Sequence, residues 1–331
     1  MRNNSANPKE PFWGTLELLE AWHQQLLADR APSTARRYLS AIQGFLAWYE
    51  AEEHRPLDVH ELTPIALVGY RRALQAGAST STVNTHVSAL RAWCSWLGER
   101  GLVAENPAAR LKLVSRQSPL APKALKDAEV NALLRAAAAS RHPLRNTAIV
   151  QVMLQTGLRI GECAALSWED IDFGEKRGWV TIRGGKGDKA RRVPLNASAR
   201  EALAAYAAPH LNAEPSLRAV AAAWPRPGRN GGSTPLWRSQ KGGHLTPLAI
   251  ARMIDELVRD CAARNLVPAE TSAHTLRHTF ATHYLEANPG DLVGLASVLG
   301  HSSINTTRIY VQPTAATLAE RIESIGLNAY E

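Results

Sequence analysis

Apolar residues recur every three or four positions through most of the first hundred residues, the spacing of one helical face. Leu18, Leu19, Trp22 and Leu26 mark a helix over residues 15–28. Tyr38, Ile42, Phe45, Leu46 and Tyr49 mark a second, which starts near Ser33, a residue whose hydroxyl can cap free backbone N–H groups. A third spans residues 63–75 and stops before Gly77. Val83, Val87, Leu90, Trp93, Cys94 and Leu97 line a fourth over residues 81–98, which Gly98 and Gly101 break before the Asn106-Pro107 turn. These elements predict a helical domain over residues 12–103. Pro107, Pro119 and Pro122 then argue against a continuous helix and predict a linker over residues 104–123.

A second domain is expected over residues 124–331. Val130, Leu133 and Leu134 mark its first helix. A largely apolar helix over residues 144–155 follows, ended by Gly157, and then a short helix over 160–166. The period then falls to two: residues 179–183 and 191–195 flank a Gly-rich turn and read as a β-hairpin. Residues 210–244 read as an open connection, with Leu236-Trp237-Arg238 as a short strand. A helix over 247–263 follows, and another carries Leu276, Phe280 and Tyr284 on one stripe. Ser302-Ser303 reads as the start of a short helix holding Tyr310. A last helix over 314–325 has Leu318, Ile322 and Ile325 as a narrow stripe. The fold class is mainly α with a small β-hairpin or sheet, in two domains.

Charge narrows the partner. The formal net charge is +8, which favours a polyanion. Between Asn106 and Lys126 there are five Lys or Arg and no acid, and no acid occurs from residue 215 to 254. The three cysteines, Cys94, Cys163 and Cys261, match no zinc spacing and read as reduced thiols of a cytoplasmic protein. The start of the chain shows no signal-peptide core, and no uncharged apolar run is long enough for a membrane span.

The chemistry is concentrated between residues 156 and 310. His274, Arg277 and His278 lie three and four apart, on one helix face. Arg holds two phosphate oxygens at once, His moves protons near neutral pH, and a Tyr hydroxyl can form a covalent ester with phosphorus. Taken singly, each is more often packing or a solvated group; their ordered combination carries the reading.

That combination resembles the tyrosine recombinases, or phage integrase family. Its marks are His274-Thr275-Leu276-Arg277, Gly300-His301 and Tyr310 nine residues later. Upstream lie Thr156-Gly157-Leu158-Arg159-Ile160-Gly161-Glu162 and Gly185-Lys186-Gly187-Asp188-Lys189. The resemblance implies a two-domain DNA clamp: a helical, SAM-like core-binding domain and a tyrosine-recombinase catalytic domain. It assigns Tyr310 as nucleophile, Arg159, Arg277 and His301 to the scissile phosphate, His274 to proton transfer, and Lys186 as general acid. Glu162 is expected to hold Arg159 by an ion pair. Expected DNA contacts are Arg36, Arg37, Thr82, Asn84, His86, Arg91, Lys189 and Arg191. No metal or other cofactor is expected, because the positive side chains supply the charge and the ester conserves the bond energy. The implied partner is double-stranded DNA with an inverted-repeat core site, bound by a homo- or hetero-tetramer on two sites, with the need for an accessory protein left open. The alternatives are a type IB-like topoisomerase and a non-catalytic DNA-binding protein. Among recombinases, Xer-type, integrase and transposon-borne roles stay open.

Overall fold

The computed structural model describes residues 14–115, 124–183, 190–225, 234–239, 241–300 and 322–323. The chain divides into two compact units, residues 1–119 and 120–331, each with its own apolar core.

Among the described residues the first unit has four α-helices, α1 Thr15–Asp29, α2 Pro32–Glu53, α3 Pro64–Gln75 and α4 Thr80–Glu99, with a short 3-10 turn at Val59–Glu61. The apolar stripes predict them because α2 packs on the other three, and Ile42 and Phe45 share one buried core with Trp22, Leu67, Val87 and Trp93. The start of α2 differs from expectation. Pro32 takes the first helical position behind Ala31, and no side chain caps it. Proline's fixed φ and missing N–H suit that position without help from Ser33. Ser79 and Thr63 do cap, accepting from the N–H groups of Thr82 and Ala66.

The expected linker divides. Its described part, residues 104–115, lies against the first unit: Ala108 and Leu111 are buried and Val114 packs on the core. The Asn84 amide bonds both the carbonyl and the N–H of Val114, at 2.9 and 2.8 Å, and Arg71 donates to the Lys112 carbonyl at 3.1 Å.

In the second unit, α5 Asp127–Ala138, α6 Pro143–Thr156 and α7 Ile160–Ala164 precede a three-stranded sheet. The strands β1 Ile171–Phe173, β2 Gly178–Ile182 and β3 Arg191–Pro194 pair antiparallel in that order, with Ile171 opposite Val180 and Val180 opposite Val193. Then come α8 Ala197–Leu211, α9 Leu217–Ala223, α10 Pro247–Ala262, α11 Ala273–Ala287 and α12 Leu292–Leu299. The sequence pattern misses β1, α8 and α9. Leu236 and Trp237 are fully buried; around them the backbone forms single bridges, Ser167 to Pro235 and Arg238 to His244, rather than a strand. Ile322 and Glu323 are helical, as the expected last helix requires; the rest of that helix and the short helix holding Tyr310 lie outside the described residues.

Helix α6 is the hub, packed on α5, α8 and α11. Ala148, Ile149, Val150, Val152 and Met153 have no exposed surface, which is why its sequence is largely apolar. Gly157 ends it in the left-handed region, φ +63°, and its N–H returns to the Met153 carbonyl. A Cβ there would strike the Phe280 ring and sit 2.7 Å from Leu299 Cδ2. Gly157→Ala therefore adds left-handed strain to overpacking and is expected to destabilise the unit by about 2–4 kcal/mol. A urea-unfolding midpoint equal to that of the parent chain would show that the turn can relax.

Candidate active site

The turn after α6 sets the first site residue. Leu158 is buried, so the chain is anchored there, and Arg159 follows as the capping residue directly ahead of α7. Its side chain stays 42% exposed. Glu162, one turn on, accepts from the Arg159 backbone N–H and from Nη1, both at 2.8 Å. The ion pair expected between these two residues is present.

Arg277 comes from α11 and is treated differently. It is 3% exposed, and its guanidinium donates to the Gly157 carbonyl at 2.6 Å and to the Leu299 carbonyl at 2.8 Å. His278 beside it is also buried, while His274 one turn earlier is exposed. Of the predicted stripe only Leu276 is buried, while Phe280 and Tyr284 are partly buried; Arg277, His278, Thr279 and Ala281 make up the rest of the buried face.

A third arginine joins them. Arg191 on β3 donates from Nη1 and Nη2 to the two carboxylate oxygens of Glu162, at 3.0 and 2.8 Å, and from Nε to the Val298 carbonyl at 2.8 Å. Arg159 Nη2 reaches the Gly300 carbonyl at 3.1 Å. Three consecutive carbonyls at the end of α12, those of Val298, Leu299 and Gly300, are therefore each held by a different arginine. A helix leaves its last carbonyls unpaired and carries partial negative charge there, so guanidinium groups suit it. Gly300 ends α12 in the left-handed region, φ +64°, and His301 follows directly. Lys186, Lys189, His301 and Tyr310 lie outside the described residues.

Comparison with known proteins addresses the same segments. Residues 123–317 match the phage integrase family, and residues 18–101 match the phage integrase N-terminal SAM-like domain. The chain belongs to the phage integrase family. This tyrosine recombinase is 32% identical over 317 residues to the protein named tyrosine recombinase XerC from Rhodospirillum centenum, covering 93% of this chain and 86% of the relative. It is 30% identical over 301 residues to the XerC of Xanthomonas campestris pv. campestris, covering 91% and 82%. The crystal structure of the XerH site-specific recombinase bound to difH substrate shares the fold at a TM-score of 0.66, with 22% identity over 93% of this chain and 83% of that one. Nothing in these matches favours the topoisomerase or the non-catalytic alternative. No helix among the described residues is long and apolar enough to cross a membrane.

The recombinase's expected DNA contacts separate into two groups. Arg36, Arg37, Thr82 and Arg91 are exposed on α2 and α4. Asn84, His86 and Arg191 have other employment. Asn84 fastens Val114, as above. His86 Nδ1 and the Tyr70 hydroxyl share a hydrogen bond at 2.9 Å; burial pushes Tyr70 up to about 12 and His86 down, so both stay neutral. Arg191 is tied to Glu162 and α12 rather than turned to solvent. The alternation of the strand carries that signal: Val193 faces the core, so Arg191 two residues away does too, and Arg192 faces out to Asp172 and the Trp179 ring.

Burial alone would raise the Glu162 carboxyl; the Arg191 side chain, the Arg159 N–H and the Arg159 guanidinium outweigh it and hold it below the ordinary value of 4.5. A lowered folded-state value stabilises fully above the unfolded value and is lost as pH falls through the folded one. Glu162→Gln leaves two guanidiniums without their carboxylate and is expected to cost roughly 2–4 kcal/mol near neutral pH. That deficit should shrink as pH falls below the ordinary value and through the lowered folded one, where the parent chain protonates Glu162. Thermal melting across this range checks it: a deficit that does not change with pH would show that the carboxylate's charge is not what stabilises.

Proposed function

We infer that this recombinase cuts and rejoins duplex DNA at a specific site through a 3′-phosphotyrosyl link made by Tyr310. The observation that carries the reading is the convergence of Arg159 and Arg277 on the end of α12, directly ahead of His301. As the Tyr310 oxygen attacks, negative charge grows on the non-bridging oxygens of the phosphate. Arg159, Arg277 and His301 offset that charge. A Tyr hydroxyl has a pKa of about 10, so His274 assists its deprotonation. Lys186 protonates the departing 5′-oxygen, and Glu162 orients Arg159. The 5′-hydroxyl of a partner duplex then attacks the ester, so bond energy is kept and the strand is resealed.

The substrate in this reading is double-stranded DNA with an inverted-repeat core site, engaged by four protomers on two sites, with an accessory protein where the second site needs one. The named activities of the XerC relatives and the difH substrate held by XerH support DNA as the partner. Exposed Arg36, Arg37, Thr82 and Arg91 of the first unit contact phosphates or bases, and Lys189 does so from the second.

A nicked suicide duplex carrying a bound core site tests the reading. Attack at the scissile phosphate lets the short 5′-hydroxyl fragment diffuse away, which traps the ester. A protein–DNA band on a denaturing gel is expected. No band on any specifically bound site, with a partner recombinase supplied, would leave only a DNA-binding protein.

A further inference from the structure

Glu162 is shared between two guanidiniums. Arg159 and Arg191 bring two positive charges to one carboxylate, so the group keeps one positive charge in excess. With Arg191 removed, Glu162 and Arg159 would form a neutral pair, and the charge that Arg159 offers a phosphate would be cancelled by its own support. Arg191 is 11% exposed and Glu162 14%, so water does little to screen this exchange. The Arg159 side chain, at 42% exposed, is the one that faces outward.

A second feature ties the same residue to α12. Arg191 Nε holds the Val298 carbonyl, and its guanidinium lies flat against Gly300: a Cβ there would be 2.6 Å from Nη1 and 2.8 Å from Cζ. The glycine ahead of His301 is thus required twice, by its positive φ and by the arginine packed on it.

We propose that Arg191 is a positioning residue for DNA cleavage: it balances Glu162 so that Arg159 keeps its charge for the scissile phosphate, and it fixes the end of α12 from which His301 follows. This rests on the recombinase reading above. Arg191 touches no reacting atom in it. The depressed Glu162 carboxyl agrees, since it keeps the carboxylate charged and both partners engaged.

The test measures, separately, affinity for the core site and the rate of covalent adduct formation on the suicide duplex. Arg191→Gln is expected to bind within about threefold of wild type and to form adduct about 10²-fold more slowly, the size of one lost electrostatic group. Arg191→Lys restores the charge without the fork or the Val298 bond and should be slowed about tenfold. The double variant Arg191→Gln/Glu162→Gln removes the uncompensated carboxylate and should recover about tenfold over Arg191→Gln. A merely structural role predicts no such recovery. Adduct formation by Arg191→Gln within about threefold of wild type, or a double variant no faster than the single, would overturn the inference. If Arg191→Gln does not fold, Arg191→Lys decides: slowed cleavage at unchanged affinity supports the inference, and a wild-type rate overturns it. A wild-type adduct that is absent, or that survives Tyr310→Phe, overturns the recombinase reading itself, whereas a Tyr310-dependent adduct with an unaffected Arg191→Gln overturns this inference alone.

Discussion

Tyr310→Phe is expected to abolish the covalent protein–DNA band while leaving core-site affinity within about threefold of wild type. The substitution removes one oxygen and keeps the ring, so packing and charge around the site are unchanged. In the proposed mechanism Tyr310 alone supplies the attacking oxygen, and the uncatalysed attack of water leaves no adduct on the protein. Tyr310 falls within the segment matched to the phage integrase family, nine residues after His301. The measurement is the denaturing gel with the suicide duplex, paired with a binding titration. A variant that still forms adduct would place the nucleophile elsewhere, and one that loses binding as well would make Tyr310 a structural residue.

The second large effect concerns the buried arginine. Arg277→Gln should lower cleavage by roughly 10²–10³ through loss of a charge at the phosphate. It should also destabilise the second unit, because the Gly157 and Leu299 carbonyls lose their partner in a site that is 3% exposed. Each buried acceptor left unpaired costs about 1–3 kcal/mol. Arg159→Gln, at a side chain that is 42% exposed, should show a similar loss of cleavage with a much smaller change in melting temperature. The two arginines act on the same phosphate in the proposed mechanism, yet only one is built into the core. Equal melting temperatures for the two variants would contradict that division, as would an Arg277→Lys protein with normal cleavage, since a lysine cannot hold two carbonyls in a fork.

Most of the architecture was legible in the sequence because most of it is amphipathic. The stripes of α1, α2, α4 and α10 correspond to faces that are buried. Helix α8 was not legible: nearly half of its sequence is alanine and Pro209 lies inside it, so the stripe of large apolar residues that periodicity needs is missing. Strand β1 has three residues, too few for an alternation to stand out. The fastening of residues 104–115 was hidden for a different reason. Asn84 holds Val114 by its backbone, and a side chain that bonds backbone leaves no complementary residue to notice. The site divides in the same way. The order of Arg159, Glu162, Arg277 and Gly300 could be read from motifs, but Arg277 holds the carbonyls of Gly157 and Leu299 and Arg159 reaches that of Gly300, and carbonyls have no letter in the sequence. Arg191 alone had a readable sign, its place two residues from Val193 on a strand.

Because the arginines grip carbonyl oxygens, they gauge where α12 stops turning rather than which residues it is made of. One residue inserted into or deleted from the helix would swing its last carbonyls by about 100° and slide them by about 1.5 Å, so that all three guanidiniums would miss together. Substitutions on its outer face, as at Val293, which is 65% exposed, would leave every grip in place. The eight residues Leu292–Leu299 thus work as a ruler. In homologous chains the spacing from the buried arginine to the Gly-His pair should hold its length while the lettering between them drifts.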